Sequence, residues 1–496
     1  MIFVGIDSGT QSTKAVALDA ESGDILASAQ ESYSLISGLP AGHLEQHPSE
    51  WIDAVRQVIS SCLEQLGERR DELSGIGVSG QQHGLVVLDE DDQVIRPAKL
   101  WCDTSTVEQC QLFDAEFGGA AGLIELAGNA ILPGYTIPKL LWLKQREPEN
   151  FALVKTVLLP HDYINFWLTG IKRMEYGDAS GTGVMDIRTR RWCPELVNFV
   201  DTSVSEMLPP LGSSLEAHGQ LRNELASEWS LNQDVIVSAG GGDNMMAAIG
   251  TGNVTPGVIT ASFGTSGTLY GVSSEPAIDH GGEVAAFCDS ADQWLPLVCT
   301  MNVTVVTEQV RGLFGLDLDG LEEAVAGSAP GAGGICFLPY LNGERTPNLP
   351  EGSGVIHGMS TDNLSPSNIV RAAMEGATLG LAYGLESFRG MGVTPSEIRL
   401  TGGGSNSGEW RQIAADVFNT PVVMLSTAEG AGLGAAIQAV HCRDEGSLKY
   451  ADLCARYVAL DENTRCEPDA SNVEVYRELL EKQTGLTREL HAAGRL

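Results

Sequence analysis

Positive charge is scarce in this chain: 30 Lys and Arg stand against 65 Asp and Glu, a formal charge of −35 over 496 residues. Such a surface repels nucleic acid and anionic membranes, so neither is expected as a partner. A small anionic ligand is still allowed, because salt screens distant charges over roughly 8 Å. The ten cysteines include no CxxC pair, so they read as reduced, mostly buried thiols and not as a metal site or disulfide framework. No apolar run reaches the roughly 18 residues of a membrane span. The N-terminus enters a strand-like run at once, without the charged start and apolar core of a secretory signal, and a cytoplasmic location is expected. GxxxxGK[ST] is also missing, which removes the P-loop as a way to hold phosphate.

What the chain does have is one turn that occurs twice. Val4–Leu18, VGIDSGTQSTKAVAL, reads strand, Gly/Ser/Thr turn, strand; Val258–Val272, VITASFGTSGTLYGV, has the same build. A small-residue hairpin rich in backbone N–H groups and hydroxyls can wrap an anion without a cationic side chain. A single DSGT is more simply an ordinary hairpin whose Asp and Ser satisfy turn amides. Two such turns, one in each half, shift the reading to a duplicated fold that grips one polyphosphate from two sides.

The length calls for two large domains. In the first, β-type runs at Val4–Ile6, Ala15–Leu18 and Ile25–Ala29 precede a helix from Pro48, whose Trp51, Val55, Val58, Ile59, Cys62, Leu63 and Leu66 recur at helical spacing. Ser49 is the expected N-cap. Buried strands are expected at Gly75–Gly80 and Leu85–Asp89, and at Val235, where a strand ends in glycines. The second half restarts at Val258, with a helix from Ser365 to Arg389, strands at Ile398–Thr401 and Val422–Leu425, and an amphipathic surface helix at Val473–Leu490. Domains of 1–248 and 249–496 in an α/β duplication follow.

Candidate chemistry gathers at strand ends. Thr10, Ser12 and Thr13 offer hydroxyls to phosphate, and Asp7 could hold Mg²⁺ through water. Gly264 and Thr265 repeat the arrangement. In GGGDN, Asp243 follows glycines that admit a ligand; it is either a base for a hydroxyl attacking a phosphoryl group or an N-cap for the next helix. Thr401–Gly408, TGGGSNSG, is either a flat surface for an adenine or a generic strand-to-helix turn. Gln81-Gln82-His83 sits between apolar strands, where a polyol could be hydrogen-bonded. Trp101 and Asp103 pair an aromatic face with an acceptor, which suits a sugar.

With these residues assembled, the chain resembles the FGGY carbohydrate kinases, and within them the xylulokinases, from about residue 3 to 445. Phe337–Ser360, FLPYLNGERTPNLPEGSGVIHGMS, is the most specific stretch. Gly134–Lys144, Leu158–Gly170, Gly177–Thr182, GGGDN, SFGTSG and Arg371–Glu386 support it. The resemblance implies two RNase H-like domains of the actin/hexokinase-like ATPase fold, with sugar and ATP meeting between them. It implies Asp243 as catalytic base and Gln82 and His83 as the sugar-contacting pair; Asn244, Trp101 and Asp103 are expected beside them at the sugar. It further implies Asp7 as the Mg²⁺ residue, Thr10 to Thr13, Gly264 and Thr265 on phosphate, and Gly403, Gly404 and Asn406 beside adenosine. Gln82 stands where relatives carry Met, Cys102 and Ser105 depart from WND and the following Arg, and Phe287-Cys288-Asp289 from FCH. The expected reaction is ATP-dependent phosphorylation of a ketopentose, D-xylulose first, by an enzyme whose partners are small molecules and whose assembly is a homodimer. Ribulose, L-xylulose, erythritol or glycerol are the alternative acceptors, and a silent sugar sensor the alternative class.

Overall fold

A computed structural model describes residues 1–231, 234–427 and 430–496. The duplication is visible in strand order. The first sheet runs Ile25–Ser32, Ser12–Asp19, Ile2–Ser8, Leu73–Gly80, Ile236–Ser238, Ala217–Gln220. The second runs Trp294–Thr300, Gly267–Gly271, Val258–Phe263, Glu397–Thr401, Val422–Leu425, Leu460–Cys466, with Ala285–Cys288 added at the edge. Read across either sheet, the pairings are antiparallel, antiparallel, parallel, parallel, antiparallel. This is the duplicated α/β arrangement that the two turns predicted, and it is the actin/hexokinase-like one that the resemblance implied.

Parallel neighbours need a long crossover, and in each half a helix supplies it. Pro48–Leu66 buries Trp51, Val55, Val58, Ile59, Cys62, Leu63 and Leu66, the face its periodicity predicted. Its N-cap is His47 and not Ser49; Pro48 has a fixed φ and no N–H to satisfy, so it takes the first helical position. Its counterpart Pro366–Gly390 is capped by Ser365, whose side chain accepts from the Asn368 N–H. The predicted strand at Leu85–Asp89 shortens to Val86–Leu88 and pairs with Thr156–Leu158 in a small separate sheet. The last helix, Ala470–Ala492, does more than cover the surface: Tyr476 and Leu479 are buried in the second core, and the Tyr476 hydroxyl donates to Glu375 at 2.8 Å.

Two helices tie the halves together by crossing. Asp243–Gly250, from the first half, packs Met245 and Ala248 on Tyr270, Val272, Leu295 and Leu297 of the second. Gly430–Arg443, from the second half, lies over the strands Ile2–Ser8 and Leu73–Gly80 of the first. Glycines allow this contact: a Cβ at Gly5 or Gly77 would strike the carbonyl of Gly432 or Ala435, and one at Gly250 or Gly434 the carbonyl of Gly430 or Met246. The expected division at residue 248 falls inside the first of these helices.

Candidate active site

The first turn is built from hydrogen bonds. Gly9 N–H donates to the Ser12 carbonyl at 3.0 Å. The Tyr33 hydroxyl donates to the Gly9 carbonyl at 2.7 Å and also meets Thr13 at 3.1 Å. Thr13 is fully buried, so its hydroxyl shapes the turn from behind. Ser12 accepts from Gln30 at 3.1 Å. Thr10 faces the other way: it donates to Gln81 Oε1 at 3.1 Å and accepts from the Trp101 indole at 2.9 Å. Trp101, expected at the sugar, is thus bonded directly to the first turn. At the strand's end, Asp7 Oδ1 accepts from Ser79 at 3.0 Å.

Asp243 is the first residue of its helix, and Gly242 is the N-cap; the carboxylate is therefore not spent on capping. Asn244 donates to Asp243 Oδ1 through its backbone N–H, 2.8 Å, and its Nδ2, 3.0 Å. The same Nδ2 donates to Gln82 Oε1 at 3.0 Å. Both bonds to Asp243 fall on one oxygen, which leaves Oδ2 to take a proton. Desolvation, and then the neighbouring Asp7 carboxylate, push the Asp243 carboxyl up to about 7, a value suited to general-base work near neutrality.

His83 adopts a left-handed backbone, φ +63°, a conformation that costs a β-carbon residue on the order of 1 kcal/mol or more. Its carbonyl accepts from Lys139 Nζ at 2.9 Å and Thr136 at 3.1 Å, and its ring stacks on Tyr135 at 4.8 Å. Burial, with the Lys139 and Arg345 charges, lowers its pKa to about 3, so the ring is neutral. Nδ1 lies 2.8 Å from the Gly181 carbonyl, which can only accept. Nδ1 therefore carries the hydrogen and Nε2 is an acceptor. Lys139, fully buried, has its pKa lowered to about 7 by the same desolvation.

Asp103 lies elsewhere. It is fully buried; Oδ2 takes Lys99 at 3.0 Å and the Leu44 N–H at 2.9 Å, and Oδ1 takes the Ser105 N–H at 3.0 Å and its hydroxyl at 2.5 Å. His43, Glu45 and Asp103 stand close enough together to suggest a metal triad. Lys99 already occupies their centre, 3.2 Å from His43 and from Glu45. Asp103 thus belongs to an internal ion-pair cluster beneath the loop that carries Trp101.

The second turn is held by backbone. The Gly264 carbonyl accepts from Thr304 N–H at 2.9 Å and the Thr265 carbonyl from Val303 N–H at 3.1 Å, while the Thr265 side chain is exposed. The loop of Gly402 to Asn406, expected beside adenosine, rests on this turn: a Cβ at Gly402 would strike the Phe263–Gly264 peptide, and one at Gly404 would crowd Phe263 and Thr304. Gly403 faces open space and Asn406 is exposed. The strand Trp294–Thr300 links the two clusters. Cys299 pairs with Thr268 in register, and its thiol feels both Arg345 and Asp243.

The sequence reading assigned no role to Tyr33 and Gln46 behind the first turn, to Tyr135 and Lys139 behind His83, or to Glu344 beneath Arg345. Lys139 had a visible signal, a lysine in the apolar stretch Thr136–Leu143. A buried His161–Asp178 pair, 2.6 Å apart, also escaped it; it underlies Gly80, where a Cβ would meet His161.

Comparison with known proteins agrees with this geometry. Residues 2–250 match the N-terminal domain of the FGGY family of carbohydrate kinases, and residues 259–442 its C-terminal domain. Xylulose kinase of Haemophilus influenzae is 42% identical over 487 residues, 97% of this chain and 98% of that protein. Xylulose kinase of Streptomyces coelicolor is 37% identical, over 98% of this chain and 95% of its own length. The crystal structure of a xyloylose kinase from Brucella ovis superposes with a TM-score of 0.93 at 31% identity, covering 99% of this chain and 100% of that one.

Proposed function

Because the chain belongs to the FGGY family of carbohydrate kinases, we propose that it transfers the γ-phosphoryl group of ATP to the terminal hydroxyl of a ketopentose, D-xylulose, giving D-xylulose 5-phosphate. The observation that carries this reading is the single network joining base and sugar face: Asp243 to Asn244 to Gln82, next to His83. Asp243 Oδ2 takes the proton of the attacking hydroxyl while Asn244 fixes the carboxylate through Oδ1. His83 Nε2 accepts from a second hydroxyl. The Trp101 indole stands beside the sugar, tied to the phosphate turn through Thr10. On the nucleotide side, Gly264 and Thr265 approach the phosphates, and Gly403, Gly404 and Asn406 the adenosine.

Mg²⁺ fits the donor set: Asp7 and Asp243 repel one another, and a hydrated cation beside Asp7 would relieve this while neutralising phosphate charge. Exclusion of water protects ATP from hydrolysis until the sugar is in place. A cytoplasmic setting suits ten free cysteines, and among the described residues no helix is long and apolar enough to cross a membrane.

The test is a coupled ADP-release assay across D-xylulose, D-ribulose, L-xylulose, erythritol and glycerol, with a sugar-free control. The largest kcat/KM is expected for D-xylulose, with slow hydrolysis when no sugar is present. A larger value for another acceptor would replace the substrate assigned, and no turnover on any would leave a sugar sensor.

A further inference from the structure

Arg345 enters the first half's site from the second half. Its backbone is fixed by the buried Glu344 carboxylate, which accepts from the Arg345 N–H at 2.8 Å, the Met301 N–H at 2.6 Å and Asn302 Nδ2 at 3.0 Å. From that anchor the guanidinium reaches Gly134, where a Cβ would lie 3.6 Å from Nη2 and 2.7 Å from the Trp101 carbonyl. Gly134 adjoins Tyr135, the ring stacked on His83. The Arg345 charge is felt by His83, Tyr135, Cys102 and Cys299. Among the described residues, no carboxylate lies within ion-pair distance of it, in a chain where acidic residues outnumber basic ones 65 to 30. The other cation nearby, Lys139, is committed to the carbonyls of His83 and Gly134.

The donor and acceptor balance gives this cation a purpose. His83 Nε2 and Asp243 Oδ2 are acceptors, so they read hydroxyl groups. A guanidinium only donates. The substrate's own chemistry supplies a matching acceptor. A 2-ketopentose closes its furanose ring through O5, the oxygen to be phosphorylated, so the form that can react is the open chain with a free carbonyl at C2. We propose that Arg345 donates to this C2 carbonyl and sets the preference for a ketopentose over the corresponding alditols. The assignment rests on the ketopentose reading above.

The experiment compares wild type with Arg345→Gln and Arg345→Lys on D-xylulose and on its two C2-reduced forms, xylitol and D-arabinitol. Coupled ADP release gives kcat/KM, and calorimetry without ATP gives Kd. The Gln variant is expected to bind D-xylulose about 10- to 100-fold more weakly, the loss that follows from removing a charged hydrogen bond. Its alditol Kd values should stay within about twofold. The Lys variant, which keeps the charge without the fork, should fall between. An unchanged D-xylulose Kd, or equal weakening of ketose and alditols, overturns the proposal. Failure of the functional reading looks different: wild type itself would then neither bind nor phosphorylate a ketopentose, which removes both.

Discussion

The two hairpin turns share a sheet position, a strand sense and a Gly-Thr pair, yet they are held by different means. Aligned on Gly9-Thr10 and Gly264-Thr265, Asp7 is matched by Ser262 and Ser8 by Phe263. The first turn is locked by side chains from several segments: Tyr33, Gln46, Gln81 and Trp101 all bond to it. The second is held by N–H groups at the start of the helix Thr304–Phe314 and by close packing of Gly402. One half thus carries two neighbouring carboxylates, Asp7 and Asp243, beside a rigid turn that is bonded to Gln81 and Trp101. The other half presents backbone and small residues, which in the proposed kinase would offer a nucleotide surface more than catalysis.

The sharpest consequence concerns where chemistry resides. If the first half alone supplies the base, Asp243→Asn should lower kcat by about 10²–10⁴-fold with the ATP Kd nearly unchanged, as measured by coupled ADP release and nucleotide titration. Turnover near that of wild type would remove Asp243 from the mechanism. The same residue sets the pH response. With its carboxyl held up to about 7, the base is lost as pH falls, so log kcat/KM should rise with unit slope through the acid range and level off near pH 7. A bound cation beside Asp7 opposes the repulsion and moves that limb downward, never upward. An acid limb absent from pH 5 to 8 would assign the proton to another group.

The halves meet at glycines, and that contact can be broken without touching either turn. Gly434→Val would push a branched side chain into the Met246 carbonyl. Overpacking of this kind costs about 1–3 kcal/mol, and more where the obstacle is backbone. A lowered thermal midpoint is expected, together with weaker coupling between sugar binding and ATP turnover. A variant as stable as wild type would mean the crossed helices can separate freely.

Much of this was legible in the residues. The doubled Gly-Thr turn foretold the doubled sheet, and the glycines before Asp243 foretold an acid at a strand end. Local pattern also placed Trp51 and its helical neighbours in the core. What failed depended on long-range partners. Asp103 looks like a sugar acceptor until Lys99, Leu44 and Ser105 close around it. Thr13 looks like a phosphate ligand until strand alternation turns it toward Tyr33. Ser49 lost the cap to His47 because Pro48 takes the first helical position, and Leu85–Asp89 reads as a buried strand whichever sheet it joins. No spacing rule could place Arg345 over Gly134, because the contact spans 211 positions of chain, from 134 to 345.

Thr10→Val removes a hydroxyl that serves two partners and leaves the Trp101 indole N–H without its acceptor. An orphaned donor in a partly buried site costs about 1–3 kcal/mol, so a lower thermal midpoint should accompany a rise in KM for both sugar and ATP. Thr265→Val changes an exposed side chain whose turn is held through its carbonyls, and such surface changes usually stay within about 0.5 kcal/mol. Its effect should therefore be confined to the KM for ATP, about 10- to 100-fold for one lost hydrogen bond to a charged phosphate, with the KM for sugar unmoved. Parallel melting curves and two-substrate kinetics on the pair decide it. Equal losses of stability at the two positions, or a sugar KM that moves with Thr265, would mean that the turns are interchangeable and that the division of labour between the halves is wrong.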